Sequence, residues 1–223
     1  MRVAFYYAPH QDDPLWHSGA RWLGRDPAAN TPLAQPDLPG IAAITADARH
    51  YAFHATLKPP MALGTGVDWA AVLDAAHAIA ACIPPFDLPR LAVADIHGFL
   101  ALRETSPSPE LQAFADACIA GADHLRRPPE AGELERRRRA GLSPAAEANL
   151  RRWGYPSVFA NWFFQMTLTR RLTADQHAFW RPAAEAHFAD VLGLPRRVSD
   201  LCLFTQAEAT AAFVLARRIP LRG

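Results

Sequence analysis

The chain has 223 residues, half of them hydrophobic and a fifth charged, with a formal net charge of +1. That length holds one substantial core or two small lobes sharing one. The near-zero charge supplies no global field toward nucleic acid or a membrane surface, so neither is expected as a partner. No apolar run approaches the ~18 residues of a membrane span. The cysteines, Cys82, Cys118 and Cys202, lie far apart without CxxC spacing. A disulfide framework is thereby excluded, and a reducing cytoplasm is the expected compartment.

Residues Arg2 to Tyr7 read as a first strand, too short and too aromatic for a signal peptide. Tyr6 and Tyr7 point to opposite faces, so one phenol could line a cleft; the other reading makes both core aromatics. Asp12-Asp13-Pro14 offers an N-cap and an early proline for a helix to about Gly24. Residues 25–40 form a loop, and His50 falls at a surface turn. Tyr51 to Pro60 reads as a strand ended by Pro59 and Pro60, which cannot donate to a ladder. Period-2 alternation sets His54, Thr56 and Lys58 on one face, with Phe53 and Leu57 on the other. An imidazole, a hydroxyl and an ammonium in a row make a cradle for phosphate; the plainer reading is a solvent-facing strand. Lys58 is the only lysine among 23 basic residues. The one compact ammonium therefore falls beside His54 and Thr56, in mild support of a phosphate-facing role.

The spacing predicts a helix over 69–81, then strands near 86–88 and 91–102, the second carrying His97-Gly98 at a bend. Residues 108–152 read as helical. The four arginines at 136–139 are offset by Glu130, Glu133 and Glu135, which makes that segment a solvated face rather than a nucleic-acid patch. Ser143-Pro144 starts a helix ending near Trp153-Gly154. Phe163 to Thr169 repeats the strand alternation, with Gln165, Thr167 and Thr169 on one face and Phe164, Met166 and Leu168 on the other. Arg170 and Arg171 follow directly and could meet an anion. Thr173 caps a helix to about Leu192 with Phe179, Ala183, Phe188 and Val191 facing inward. Its His177 and His187 are ten positions apart, not at the i,i+4 spacing of a helical metal pair, so no metal is expected. Two closing strands, 198–205 and 211–219, form a hairpin. No linker divides the chain, and nothing in it signals an oligomeric state.

His54-Ala-Thr-Leu57 matches Gln165-Met-Thr-Leu168, about half the chain away. Such an echo suggests two related lobes facing each other across a cleft. With these motifs, and with Phe5-Tyr-Tyr-Ala-Pro9, Ala20-Arg-Trp-Leu-Gly-Arg-Asp26, Gly98-Phe-Leu-Ala-Leu102 and Arg152-Trp-Gly-Tyr-Pro156, the sequence resembles the 2H phosphoesterase superfamily. Within it, the similarity is to a bacterial branch associated with phosphonate-utilisation genes. It runs nearly end to end.

The resemblance implies an α+β fold: a single domain over 1–223, with two pseudo-symmetric lobes of antiparallel sheet flanked by helices and a cleft between them. It implies a hydrolase acting without metal or cofactor on a small cyclic phosphate, such as a ribosyl one from phosphonate breakdown. His54 and Thr56 would face Gln165 and Thr167, with Tyr6, Lys58, His97 and Arg170 as further substrate contacts. The family's second motif carries histidine where this chain has Gln165. An amide can hold a phosphate oxygen but has no accessible pKa, and losing one acid–base group costs ~10²–10⁴-fold in rate. Two classes of function follow: an impaired phosphoesterase, or a diverged protein that binds a ligand or catalyses another reaction in the same cleft. Gln165 itself reads as natural divergence or as an introduced substitution. The family pattern has glycine at the position of His97. That histidine either takes over part of the missing role or is a harmless change at a strand bend.

Overall fold

The computed structural model describes residues 1–139 and 141–223. Its central strand is β1 (Arg2–Tyr7), buried from Val3 onward. Val3, Phe5 and Tyr7 enter the large core, while Ala4 and Tyr6 enter a smaller aromatic cluster with Trp16, Phe204 and Phe213. The alternation of a strand with two covered faces is thus written in its first seven residues.

The remaining strands are β2 (Arg25–Asp26), β3 (Thr31–Pro32), β4 (Ala55–Ala62), β5 (Phe86–Leu88), β6 (Leu91–Ile96), β7 (Phe99–Glu104), β8 (Met166–Thr167), β9 (Arg196–Val198), β10 (Asp200–Gln206) and β11 (Val214–Pro220). Seven of them form one antiparallel sheet in the order β11-β10-β1-β4-β8-β7-β6. β4 and β8 meet at a single pair, Ala55 with Met166. The sheet therefore has a four-stranded and a three-stranded half, and the two motif strands are their touching edges.

The helices are α1 (Pro14–Leu23), α2 (Ile41–Ile44), α3 (Ala46–Tyr51), α4 (Trp69–Ala81), α5 (Pro109–Gly121), α6 (Ala131–Arg138), α7 (Pro144–Trp153) and α8 (Ala174–Leu192). Helices flank the antiparallel sheet, as in an α+β protein. α1 starts and stops as its sequence predicts: the Asp13 carboxylate accepts from the Leu15 amide at 2.8 Å, and Gly24 closes the helix at φ +78°. The Trp22 indole donates to the Leu168 carbonyl at 3.0 Å, tying α1 to the second motif. α8 carries a full capping box of Thr173 and Gln176. Its inward stripe is Trp180, Ala184, Phe188 and Val191; Phe179 is exposed, because the stripe starts one residue later than the periodicity suggested. Among the described residues, no helix is long and apolar enough to cross a membrane.

Two local features correct the reading of the strands. Against β1, Tyr6 pairs with Thr56 but Phe5 pairs with Lys58, so Leu57 is an extra residue in a β-bulge. A second shift lets β4 pass Pro59 and Pro60 and resume pairing at Met61 and Ala62. The prolines are thus absorbed in a bulge instead of ending the strand.

The predicted strand over 91–102 is a hairpin. β6 and β7 pair from Leu91–Glu104 to Ile96–Phe99, leaving His97 and Gly98 as a two-residue turn. Both have positive φ, +52° and +89°, the pattern of a type I′ turn. This is why glycine suits position 97: a left-handed backbone costs an L side chain about 1 kcal/mol. His97→Gly should therefore raise stability by up to about 1 kcal/mol in chemical denaturation, partly offset by glycine's chain entropy, and leave ligand binding at the cleft unchanged.

Candidate active site at the seam of the sheet

The Ala55–Met166 pair sets the register of the site. One position outward on each strand, Thr56 stands opposite Gln165 and His54 opposite Thr167. Ala55 and Met166 point into the core, so the other four residues share the opposite face. In front of them opens a cleft of about 350 Å³. Tyr6, His54 and Thr56 line it from one half of the sheet, and Thr167 and Arg170 from the other, with Glu133, Arg136 and Arg137 of α6 along its side.

His54 is held at both nitrogens. Nδ1 donates to the Ala52 carbonyl at 2.9 Å, and Nε2 accepts from the Thr56 hydroxyl at 3.0 Å. A ring so placed keeps its proton on Nδ1 and its lone pair on Nε2. Ala52 holds φ +74° and ψ 174°, a conformation costly for a residue with a side chain, and that backbone supplies the orienting carbonyl. The imidazole stacks on Tyr6, centroids 3.6 Å apart at 19°. Desolvation pushes the His54 pKa down to about 4, against a smaller opposing effect of the Ala52 hydrogen bond. His54 is a neutral base at pH 7. The Tyr6 hydroxyl is buried without a protein partner among the described residues, and its pKa is raised by burial.

Gln165 lies just beyond this group. It lines an adjoining pocket of about 70 Å³ with Thr56, Pro59 and Tyr155, and its amide makes no hydrogen bond among the described residues. Arg170 is on the cleft wall, its guanidinium donating to the Arg171 carbonyl at 2.7 Å. Two expected contacts are elsewhere. The bulge at Leu57 turns Lys58 to the face of Phe5, where its ammonium donates to the Ile119 carbonyl at 3.1 Å and lies 3.6 Å from Asp123. Lys58 thus sits on the last turn of α5, where a cation meets unpaired carbonyls. His97 is exposed at its hairpin turn and is not a wall of the cleft. Among the described residues, no group of three or more His, Cys, Asp or Glu side chains could hold a metal ion.

A family model described as a protein of unknown function, DUF1045, matches residues 56–214. The chain belongs to the DUF1045 family. Two curated relatives are both named ribose 1,5-bisphosphate phosphokinase PhnN. One, from Janthinobacterium sp. (strain Marseille), is 39% identical over 231 residues, covering 100% of this chain and 51% of its own length. The other, from Laribacter hongkongensis (strain HLHK9), is 40% identical over 224 residues, covering 98% and 52%. This DUF1045 chain spans about half the length of the curated relatives it matches. Among solved structures, E. coli LigT complexed with 3′-AMP aligns at a TM-score of 0.45 and 14% identity, covering 100% of this chain and 98% of that one. TT0787 of Thermus thermophilus aligns at 0.47 and 13%, covering 100% and 99%.

The arginines of α6 are the cleft residues of this DUF1045 protein that charge counting misses. Glu133 pairs with Arg137 at 2.8 Å, and Arg137 also donates to the Gly154 carbonyl and lies over the Tyr155 ring. Arg136 has no ion pair among the described residues. Four arginines against three glutamates leave a surplus, which is the signal the sequence does contain.

The neutral His54 has a consequence for stability. With a folded pKa of about 4 and an unfolded one near 6.5, the unfolded chain binds the extra proton between those values. Stability therefore falls as pH drops from about 6.5 toward 4. Urea unfolding at pH 7 and pH 5 should show His54→Gln losing less stability than the parent, and the His54 ring proton should titrate near 4 in an NMR series.

Proposed function

We propose that residues 1–223 act as one 2H phosphoesterase-like unit whose cleft takes a small cyclic phosphate, with His54 as general base. The observation that carries this reading is the orientation of His54: a neutral imidazole, lone pair on Nε2, beside a threonine hydroxyl and opposite a second threonine across the seam. In this scheme Thr56 and Thr167 donate to phosphate oxygens and Arg170 offsets their charge. His54 takes a proton from water as its oxygen bonds to phosphorus, and the ester P–O bond breaks toward the leaving oxygen. Gln165 can donate an N–H to that oxygen but no proton, so solvent supplies it and turnover is slow. A ribosyl cyclic phosphate fits the phosphonate-associated sequence resemblance and the ribose phosphate in the relatives' name.

The kinase activity in that name is a property of proteins twice as long. A P-loop needs Gly-x4-Gly-Lys-Ser/Thr, and the single lysine here is followed by Pro59. The phosphokinase activity is therefore not assigned to a P-loop in this chain. The amide of Gln165, without a hydrogen-bond partner among the described residues, favours a second reading, in which the cleft holds a phosphorylated ligand without hydrolysing it or performs a different reaction.

Turnover of cyclic phosphodiesters by the parent, Gln165→His and His54→Ala separates the two. The phosphoesterase reading expects a gain of ~10²–10⁴-fold for Gln165→His and loss of activity for His54→Ala. No gain on any cyclic phosphate, with ligand binding retained, leaves the second reading.

A further inference from the structure

Beside the cleft, and sharing Arg2, Tyr51, Pro59, Pro60 and the α6 residues Glu133, Arg136 and Arg137 with it, runs a larger groove of about 840 Å³. Six cationic side chains line the groove: Arg2, Lys58, Arg126, Arg127, Arg136 and Arg137. Two carboxylates line it, Glu130 and Glu133, and each is taken by one arginine, Arg127 at 3.0 Å and Arg137 at 2.8 Å. Behind the wall, the single carboxylate of Asp123 is shared by Lys58 at 3.6 Å, Arg126 at 3.0 Å and Arg152 at 3.3 Å.

Lys58 is the most telling member. It is 2% exposed, and an ammonium removed from water is stable only with close compensation. Its one carboxylate is long at 3.6 Å and divided among three cations. Burial pushes its pKa down to about 8, even with Asp123 opposing that effect. Capping the end of α5 would be met as well by an exposed lysine. Surplus positive charge around a groove wall is instead what a phosphate, with its three acceptor oxygens, would offset.

We propose that this groove is a second anion subsite continuous with the cleft, and that the ligand carries two phosphoryl groups on one small sugar, one per site. The proposal rests on the reading of the cleft as a phosphate site. Lys58, Arg126 and Arg136 hold the second group, while Arg137, committed to Glu133 and the Gly154 carbonyl, forms the divide between the two spaces.

Calorimetry with adenosine 2′,3′-cyclic phosphate and with its 5′-phosphorylated counterpart tests the second group directly. Inorganic pyrophosphate tests the anion sites without a nucleoside. The 5′-phosphate should tighten binding by about tenfold or more, the scale of a charge-assisted hydrogen bond. Lys58→Met should remove most of that gain and leave the affinity for the unphosphorylated nucleotide unchanged; Arg136→Ala, at a residue that lines both spaces, should also remove most of the gain. Pyrophosphate should bind the parent and His54→Ala alike and bind Arg136→Ala weakly; that exposed position carries the test should Lys58→Met fail to fold. Equal affinity for the two nucleotides, or pyrophosphate binding that Arg136→Ala leaves intact, overturns the proposal. If neither nucleotide binds while pyrophosphate binding still depends on Lys58 and Arg136, the cleft reading fails and the subsite stands.

Discussion

The contact between Ala55 and Met166 is the constraint on which the rest of this structure depends. It is one residue pair, yet it joins a four-stranded and a three-stranded half into one sheet. An antiparallel pair has a local two-fold relation, so similar sequences on its two strands bring like positions to one face. His54-Ala-Thr56 and Gln165-Met-Thr167 are such sequences. The seam therefore turns a repeat in the chain into a four-residue constellation without needing either strand to be long, and β8 spans only two residues.

Around that seam, each half is fixed by groups that do not touch the cleft. The Trp22 indole reaches the Leu168 carbonyl, and the Trp162 indole reaches the Thr56 carbonyl at 2.8 Å. Phe53 packs so closely on α1 that a Cβ at Gly19 would lie 2.1 Å from its ring. The strained backbone of Ala52 is sustained by this packing, and it aims the carbonyl that sets the His54 tautomer. Orientation of one imidazole is thus spread over two helices and both motif strands.

Much of this was legible in the residues. Asp13 and Gly24 bound α1, Thr173 begins α8, and the alternation around His54, Thr56 and Thr167 gives their common face, because these signals are local and act within one turn or one pleat. What escaped depends on pairing with distant strands. Whether Lys58 continues the row of His54 and Thr56 is decided by a bulge against Phe5, and nothing in residues 51–60 states where an extra residue will be absorbed. His97-Gly98 read as a bend because the apolar run continues through it; the reversal depends on β7 folding back on β6. The charged stretch at 133–139 looked solvated on balance, whereas the tertiary position of α6 turns Arg136 and Arg137 toward the cleft.

α6 buries none of its residues. It is held by Arg137, which donates to the Gly154 carbonyl and lies over the face of Tyr155, and by Arg138 to Glu147 at 2.9 Å. Contacts of this kind weaken as ionic strength rises, whereas the apolar core beneath is indifferent to it or gains. A segment without apolar anchorage also belongs to the low end of the local-opening free energies in a protein. The wall that carries the cleft's arginines is therefore thermodynamically separable from the sheet that carries His54. Its amides would exchange with solvent deuterium well before those of β1 and β4, and faster still in salt.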